Sequence, residues 1–197
     1  MIEFDAQQAT ELIRNRRSIY PAQYSSEPVK EEIIKEMLEN ANWAPTHRLT
    51  EPWRFVVFKG EGLKKLAQFQ SELYRKVSQR KGTFKEATYD KLAAKPLMAS
   101  HIISIGMKRD EKESVPVEEE IASTAMAVQN MYLTAAARGI GCYWGSGGVT
   151  YYEEAKEFFG LGVRDKLLGF MYIGNLKIDK WPNGRRKPIE DKVTWVG

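Results

Sequence analysis

The stretch from about Val117 to Arg138 constrains the fold more than any other part of this chain, because it keeps a helical pattern while lacking a polar face. Beyond Glu120 it carries Ile121, Ala122, Ala125, Met126, Val128, Met131, Leu133 and Ala136, apolar or small almost all round. A helix with no wet side belongs in the centre of a core or in an interface. Gly139 stands where a left-handed cap would end it.

Around this helix the pattern alternates. Asp5 is placed to cap a first helix with Ala9, Leu12 and Ile13 on one face, running into Asn15-Arg16-Arg17-Ser18. A second is predicted to begin at Pro28, with Val29, Ile33, Met37 and Ala41 inward and Pro45 as its stop. Trp53 to Phe58 suits a strand buried on both faces, followed by an amphipathic helix from about Leu63 to Gln79 and a further helix between Lys81 and Lys95. His101 to Met107, Gly141 to Trp144 and Leu167 to Ile173 read as strands, and Tyr151 to Phe159 as a short helix. Asn175 to Gly197 is expected to be an extended arm. Strands flanked by helices without regular alternation indicate an α+β or mixed α/β sandwich. The small residues of the long helix and an arm with no obvious cover predict an obligate homodimer that exchanges arms.

With 197 residues and 43% apolar content the chain can bury one sizeable core, so residues 1–197 are expected to form one domain with 175–197 as its arm. Thirty Lys and Arg against 26 Asp and Glu leave a formal charge of +4, spread among acids, which argues against a dedicated nucleic-acid binder. One cysteine, Cys142, excludes an intrachain disulfide, and with two histidines it excludes zinc-finger-type metal sites; no metal is expected. No apolar run reaches the roughly 18 residues a membrane helix needs, and the N-terminus does not read as a secretory signal. The expectation is a cytoplasmic protein without a membrane partner.

Four short segments have the residue types for chemistry. Arg16-Arg17-Ser18 follows a helix, where guanidinium and hydroxyl groups converge on an anion or simply complement the helix dipole. Trp43-Ala44-Pro45-Thr46-His47, closed by Pro52-Trp53, suits a planar ligand, or serves as a helix stop with anchoring tryptophans. Trp144-Gly145-Ser146-Gly147-Gly148 lets backbone approach a ligand closely, or makes a tight turn. Arg185-Arg186-Lys187 reads equally as a phosphate clamp or a solvated turn. No dinucleotide fingerprint or phosphate loop occurs.

Taken in order, Arg16-Arg17-Ser18, Trp43 to His47 with Pro52-Trp53-Arg54-Phe55, the long apolar helix and Tyr143-Trp144-Gly145-Ser146-Gly147 resemble the short members of the nitroreductase family. The resemblance implies an α+β three-layer sandwich with a mostly antiparallel central sheet, an intertwined homodimer, and flavin mononucleotide (FMN) at two sites built by both chains. It implies that Arg16, Arg17 and Ser18 hold the ribityl phosphate and pyrimidine edge, that Trp43 and His47 come from the partner, and that Trp144, Gly145 and Ser146 cover the ring. Arg186 matches a C-terminal arginine that reaches the phosphate, and Thr134, Ala135, Ala136, Ala137, Arg138 and Gly139 match the segment that contacts the nicotinamide cofactor. The implied activity is an FMN-dependent NAD(P)H oxidoreductase that reduces small electron-poor acceptors, nitroaromatics or quinones, by ping-pong two-electron transfer, with the chemistry at flavin N5 and no catalytic side chain. The alternative is a flavin-binding sensor or carrier without turnover. Two departures stand out: no Glu follows Trp144 where longer members place a Glu-Gly pair, and Gly145 replaces a larger residue of some short members.

Overall fold

The computed structural model describes residues 3–178 and 180–197. Its helices are α1 (Ala6–Asn15), α2 (Glu31–Asn42), α3 (Glu61–Arg80), α4 (Glu86–Ala94) and α5 (Val117–Ala137); its strands are β1 (Trp53–Lys59), β2 (His101–Met107), β3 (Gly141–Gly145) and β4 (Lys166–Gly174). The strands form one antiparallel sheet in the order β1-β2-β4-β3. Alternate residues of the sheet feed two cores. Ile103, Ile105, Met171 and Ile173 pack with α2 and α5, while Ile102, Phe170 and Tyr172 pack with α3 and the 3-10 turn Glu153–Phe159. The result is the expected α+β arrangement of helix, sheet and helix layers, the period-two alternation of a sheet covered on both sides.

Local chemistry accounts for most boundaries. The Asp5 carboxylate accepts from the Gln7 and Gln8 amides at 2.9 and 3.0 Å and starts α1. Gly139, at φ 68°, closes α5 as expected: its N–H reaches the Ala136 carbonyl and that of Ile140 the Ala135 carbonyl, the paired bonds of a left-handed cap. Two readings need correction. Pro28 does not open α2, because Ser100 Oγ takes the Val29 amide at 2.8 Å and the chain stays extended through Lys30. Nor is β1 buried on both faces. It is an edge strand, and only Trp53 and Phe58 in it are buried.

His101 opens β2 in a buried position, with Nδ1 2.9 Å from Ser100 Oγ. Burial, with some help from Lys59 and against the pull of Glu31, holds its pKa below the ordinary 6.5. Below that value the unfolded chain takes up a proton that the folded one refuses, so stability rises with pH through this window and falls on acidification. The expected result is a melting temperature that drops between about pH 7 and 5, with a shallower slope in His101→Asn. Identical slopes would show that His101 does not govern this window.

Candidate functional site

The site is built where β3 runs out. Between Ile105 and Gly106 the β2–β4 register slips so that Leu168 is the extra residue of a bulge. The Leu168 carbonyl accepts the Trp144 indole N–H at 3.0 Å. Gly169 follows at φ 130°, where a Cβ would lie 2.4 Å from the Gly145 carbonyl oxygen and 2.7 Å from Trp144 Nε1. Only glycine lets the strands close here, and their closure fixes Trp144 and Gly145.

From the opposite layer, Tyr132 of α5 ties the early arginines to this strand end. Its hydroxyl accepts the Trp144 backbone N–H at 2.6 Å and lies 3.4 Å from Ser18 Oγ, while the Arg16 guanidinium sits 4.9 Å from its ring centroid. Arg16, Ser18, Tyr132, Trp144 and Gly145 therefore form one cluster. Arg17 turns the other way. Its Nη1 donates to the Arg14 and Arg16 carbonyls at 2.6 and 2.8 Å, and its Nε donates to the Pro182 carbonyl at 3.0 Å, with Gly184 packed against the guanidinium. This contact lays the arm over the end of α1 and brings Arg185 and Arg186 into the neighbourhood. Among the described residues no carboxylate bridges Arg16, Arg17, Arg185 or Arg186, so the positive charge gathered here lacks an internal counterion.

Beside Gly145 a cleft of about 280 Å³ opens between the sheet and α4, lined by Tyr143, Lys95, Lys91, Gln70 and the glycines of 147–148. Lys95 Nζ lies 4.5 Å from the ring centroids of both Tyr143 and Tyr172. Burial, with the Lys91 charge adding to it, lowers the Lys95 pKa from the usual lysine value. Sequence reasoning missed Tyr132, Lys95 and Gln70. The only local hint was the polar groups of Gln70 and Tyr132 in the otherwise apolar stripes of α3 and α5; Lys95, at the turn after α4, gave none, since the pairing of β3 with β4 is what brings its aromatic neighbours to the site.

The remaining expected residues lie elsewhere in the protomer. Trp43 caps the end of α2 and is 79% exposed, beside an open groove shared with Leu12, Asn40, Leu133 and Thr134. His47 Nδ1 lies 2.5 Å from Glu119 Oε2. The loop between them and β1 holds Arg48, Leu49 and Glu51 at φ 52°, 53° and 42°, three left-handed non-glycine residues around a right-handed Thr50, which cost conformational energy of the kind often stored at ligand-binding loops. Of the six residues at the end of α5, Thr134 is committed to Asn40 and to the Asn130 carbonyl, both at 2.9 Å, and Ala135 is buried. Arg138 pairs with Glu36 through two bonds of 2.9 and 2.8 Å. Ala136, Ala137, Arg138 and Gly139 keep accessible surface. Cys142 is buried, which pushes its thiol pKa well up and makes it unreactive. Ser146 is exposed at the strand end.

Residues 13–175 match the profile of the Nitroreductase family. The chain belongs to this family. YfhC of Bacillus subtilis (strain 168), named as a candidate NAD(P)H nitroreductase, is 30% identical over 190 residues, covering 93% of this chain and 92% of its own length. The crystal structure of the nitroreductase-like family protein from Bacillus cereus superposes with a TM-score of 0.78 at 29% identity, over 100% of this chain and 98% of that one. The FMN-dependent nitroreductase NfnB from Mycobacterium smegmatis, solved in complex with NADPH, shares the fold at 18% identity and a TM-score of 0.73, over 98% and 99% of the two chains. The nitroreductase fold thus extends over the whole of this chain. Among the described residues no helix is long and apolar enough to cross a membrane, and no group of three His, Cys, Asp or Glu side chains is placed to hold a metal.

Proposed function

We propose that this chain is an FMN-dependent NAD(P)H oxidoreductase of the cytoplasm that reduces small electron-poor acceptors such as nitroaromatics and quinones. It would work as a homodimer in which residues 1–197 form one domain and 175–197 its arm. The observation that carries the reading is the end of β3, where Trp144 is tied to Tyr132, which carries Arg16 on its ring, and Gly145 borders a cleft lined by Tyr143 and Lys95. The donor set fits FMN: guanidinium and hydroxyl groups for a phosphate, and small residues with aromatic neighbours for a planar ring. FMN, when bound, supplies the hydride chemistry, and the protein positions and tunes it.

On this reading Arg16 and Ser18 hold the phosphate end, and Arg17 latches the arm that carries Arg186 to the same anion. Trp144, Gly145 and Ser146 cover the ring, held in place by the Leu168 carbonyl and the Tyr132 hydroxyl. Lys95 sets a cation against the ring, favouring the reduced anionic form. Trp43 and His47, which touch none of this within one protomer, reach the partner's site. The exposed end of α5, Ala136 to Gly139, meets the nicotinamide cofactor, with Thr134 and Ala135 supporting it from beneath.

The purified protein is expected to be yellow, to release FMN on denaturation and to oxidise NAD(P)H when a quinone or nitroaromatic is added. A flavin-loaded protein without turnover would make it a sensor or carrier, and a colourless one that takes up no FMN would defeat the proposal. Because donor and acceptor share one place, initial-rate plots are expected to be parallel. Arg16→Ala is expected to weaken FMN retention by about 1.5–3 kcal/mol, the range for a hydrogen bond to a charged group; unchanged retention in a fluorescence titration would remove Arg16 from the phosphate site.

A further inference from the structure

The inward stripe of α3 runs Leu63, Leu66, Gln70, Leu73, Val77, the three-four spacing of a core-facing helix with one polar intruder. Gln70 is 1% exposed and its Nε2 is buried without a hydrogen-bond partner, one of two such side-chain atoms among the described residues. A buried donor left unpaired destabilises a fold unless it is kept for a ligand. Gln70 is placed to meet one, because it lines the cleft that Lys95, Tyr143 and Gly145 share at the end of β3.

A primary amide sets one donor and one acceptor side by side. The group that complements it is an imide edge, a carbonyl beside an N–H, and the pyrimidine ring of a flavin carries such an edge at N3. Resting on the functional reading above, we infer that Gln70 is a further reader of this edge, beside the segment 16–18 that the resemblance sets there, its amide paired with the N3–H and a neighbouring carbonyl of the ring. Gln70 thereby selects the ring from within the protein. A nitro or quinone acceptor offers only acceptor atoms and would leave half of the amide unused.

The test titrates FMN and its N3-methyl analogue, which lacks the N3 proton, into wild-type protein and Gln70→Leu and follows the quenching of flavin fluorescence. Wild-type protein is expected to prefer FMN over the analogue by roughly tenfold, the size of a buried hydrogen bond. Gln70→Leu is expected to bind FMN roughly tenfold more weakly and to discriminate less than about twofold. Equal wild-type affinities, or discrimination that persists in Gln70→Leu, would overturn the assignment while leaving the flavin site standing. Failure of wild-type protein to bind FMN at all would overturn the functional reading and this inference with it. If Gln70→Leu does not fold by circular dichroism, Gln70→Met takes its place, and the wild-type comparison of the two flavins needs no variant.

Discussion

Gly169→Ala is expected to lose about 2–6 kcal/mol of folding stability, the sum of a glycine-only backbone conformation and an overpacked contact. At φ 130° an L side chain is strained whatever space surrounds it, and here there is none, since the Gly145 carbonyl oxygen would be 2.4 Å from the new Cβ. That oxygen belongs to a paired strand and cannot step aside without unzipping β3 from β4. Domains of this size are stable by about 5–15 kcal/mol, so the loss is a large share of the whole. The site should suffer first, because the same methyl presses on Trp144 Nε1 and breaks its bond to the Leu168 carbonyl. Urea denaturation should show a lower midpoint at an unchanged slope, and FMN retention should fall further than the midpoint alone implies. An unfolding free energy within about 0.5 kcal/mol of wild type would mean that the bulge is not what holds the end of β3.

That bulge illustrates what a sequence can and cannot convey. The apolar spacing in α3 and α5 is local, written in residues three and four apart, and it specified both helices and the Gly139 cap. Asp5 likewise announced α1. The start of α2 was misread because the residue that overrides Pro28, Ser100, lies some seventy positions away and acts on the Val29 amide. The edge position of β1 has the same cause: which strand pairs with which is a long-range fact, and Trp53 to Phe58 read the same in a central strand or an edge strand. In the site, Arg16, Ser18, Trp144 and Gly145 were visible as unusual short segments, whereas Tyr132 and Lys95 were not. They look like an ordinary helical tyrosine and a surface lysine until β3 folds against β4 and brings Tyr143 and Tyr172 to Lys95. Nothing in one copy of the chain brings Trp43 or His47 to the same place.

Met126→Glu is expected to separate the proposed dimer and to strip it of FMN. The expectation that α5 has no wet face is met only in part within a protomer. One side packs on the sheet through Ala127, Val128 and Met131, and a second stripe through Ala122, Met126, Leu133 and Ala137 retains surface, with Met126 39% exposed. The Leu133 and Ala137 end of this stripe borders an open groove that it shares with Leu12 of α1, whose residues are nowhere buried, and with Trp43, which is 79% exposed. Apolar surface gathered on one side in this way marks an interaction surface, and a second copy supplies a self-complementary patch of the same kind. In a two-fold interface a single substitution enters twice, so two unpaired carboxylates would lose their water together. At several kcal/mol for each buried unpaired charge, the dimer dissociation constant should rise by at least roughly a thousandfold. Light scattering at micromolar concentration would show a monomer, and because Trp43 and His47 then reach no partner site, the flavin should wash away although Arg16, Lys95 and Trp144 are intact. A wild-type protein that scatters as a folded monomer while holding FMN would show that one chain completes the site by itself, and a Met126→Glu protein that stays dimeric and yellow would place the interface on another face.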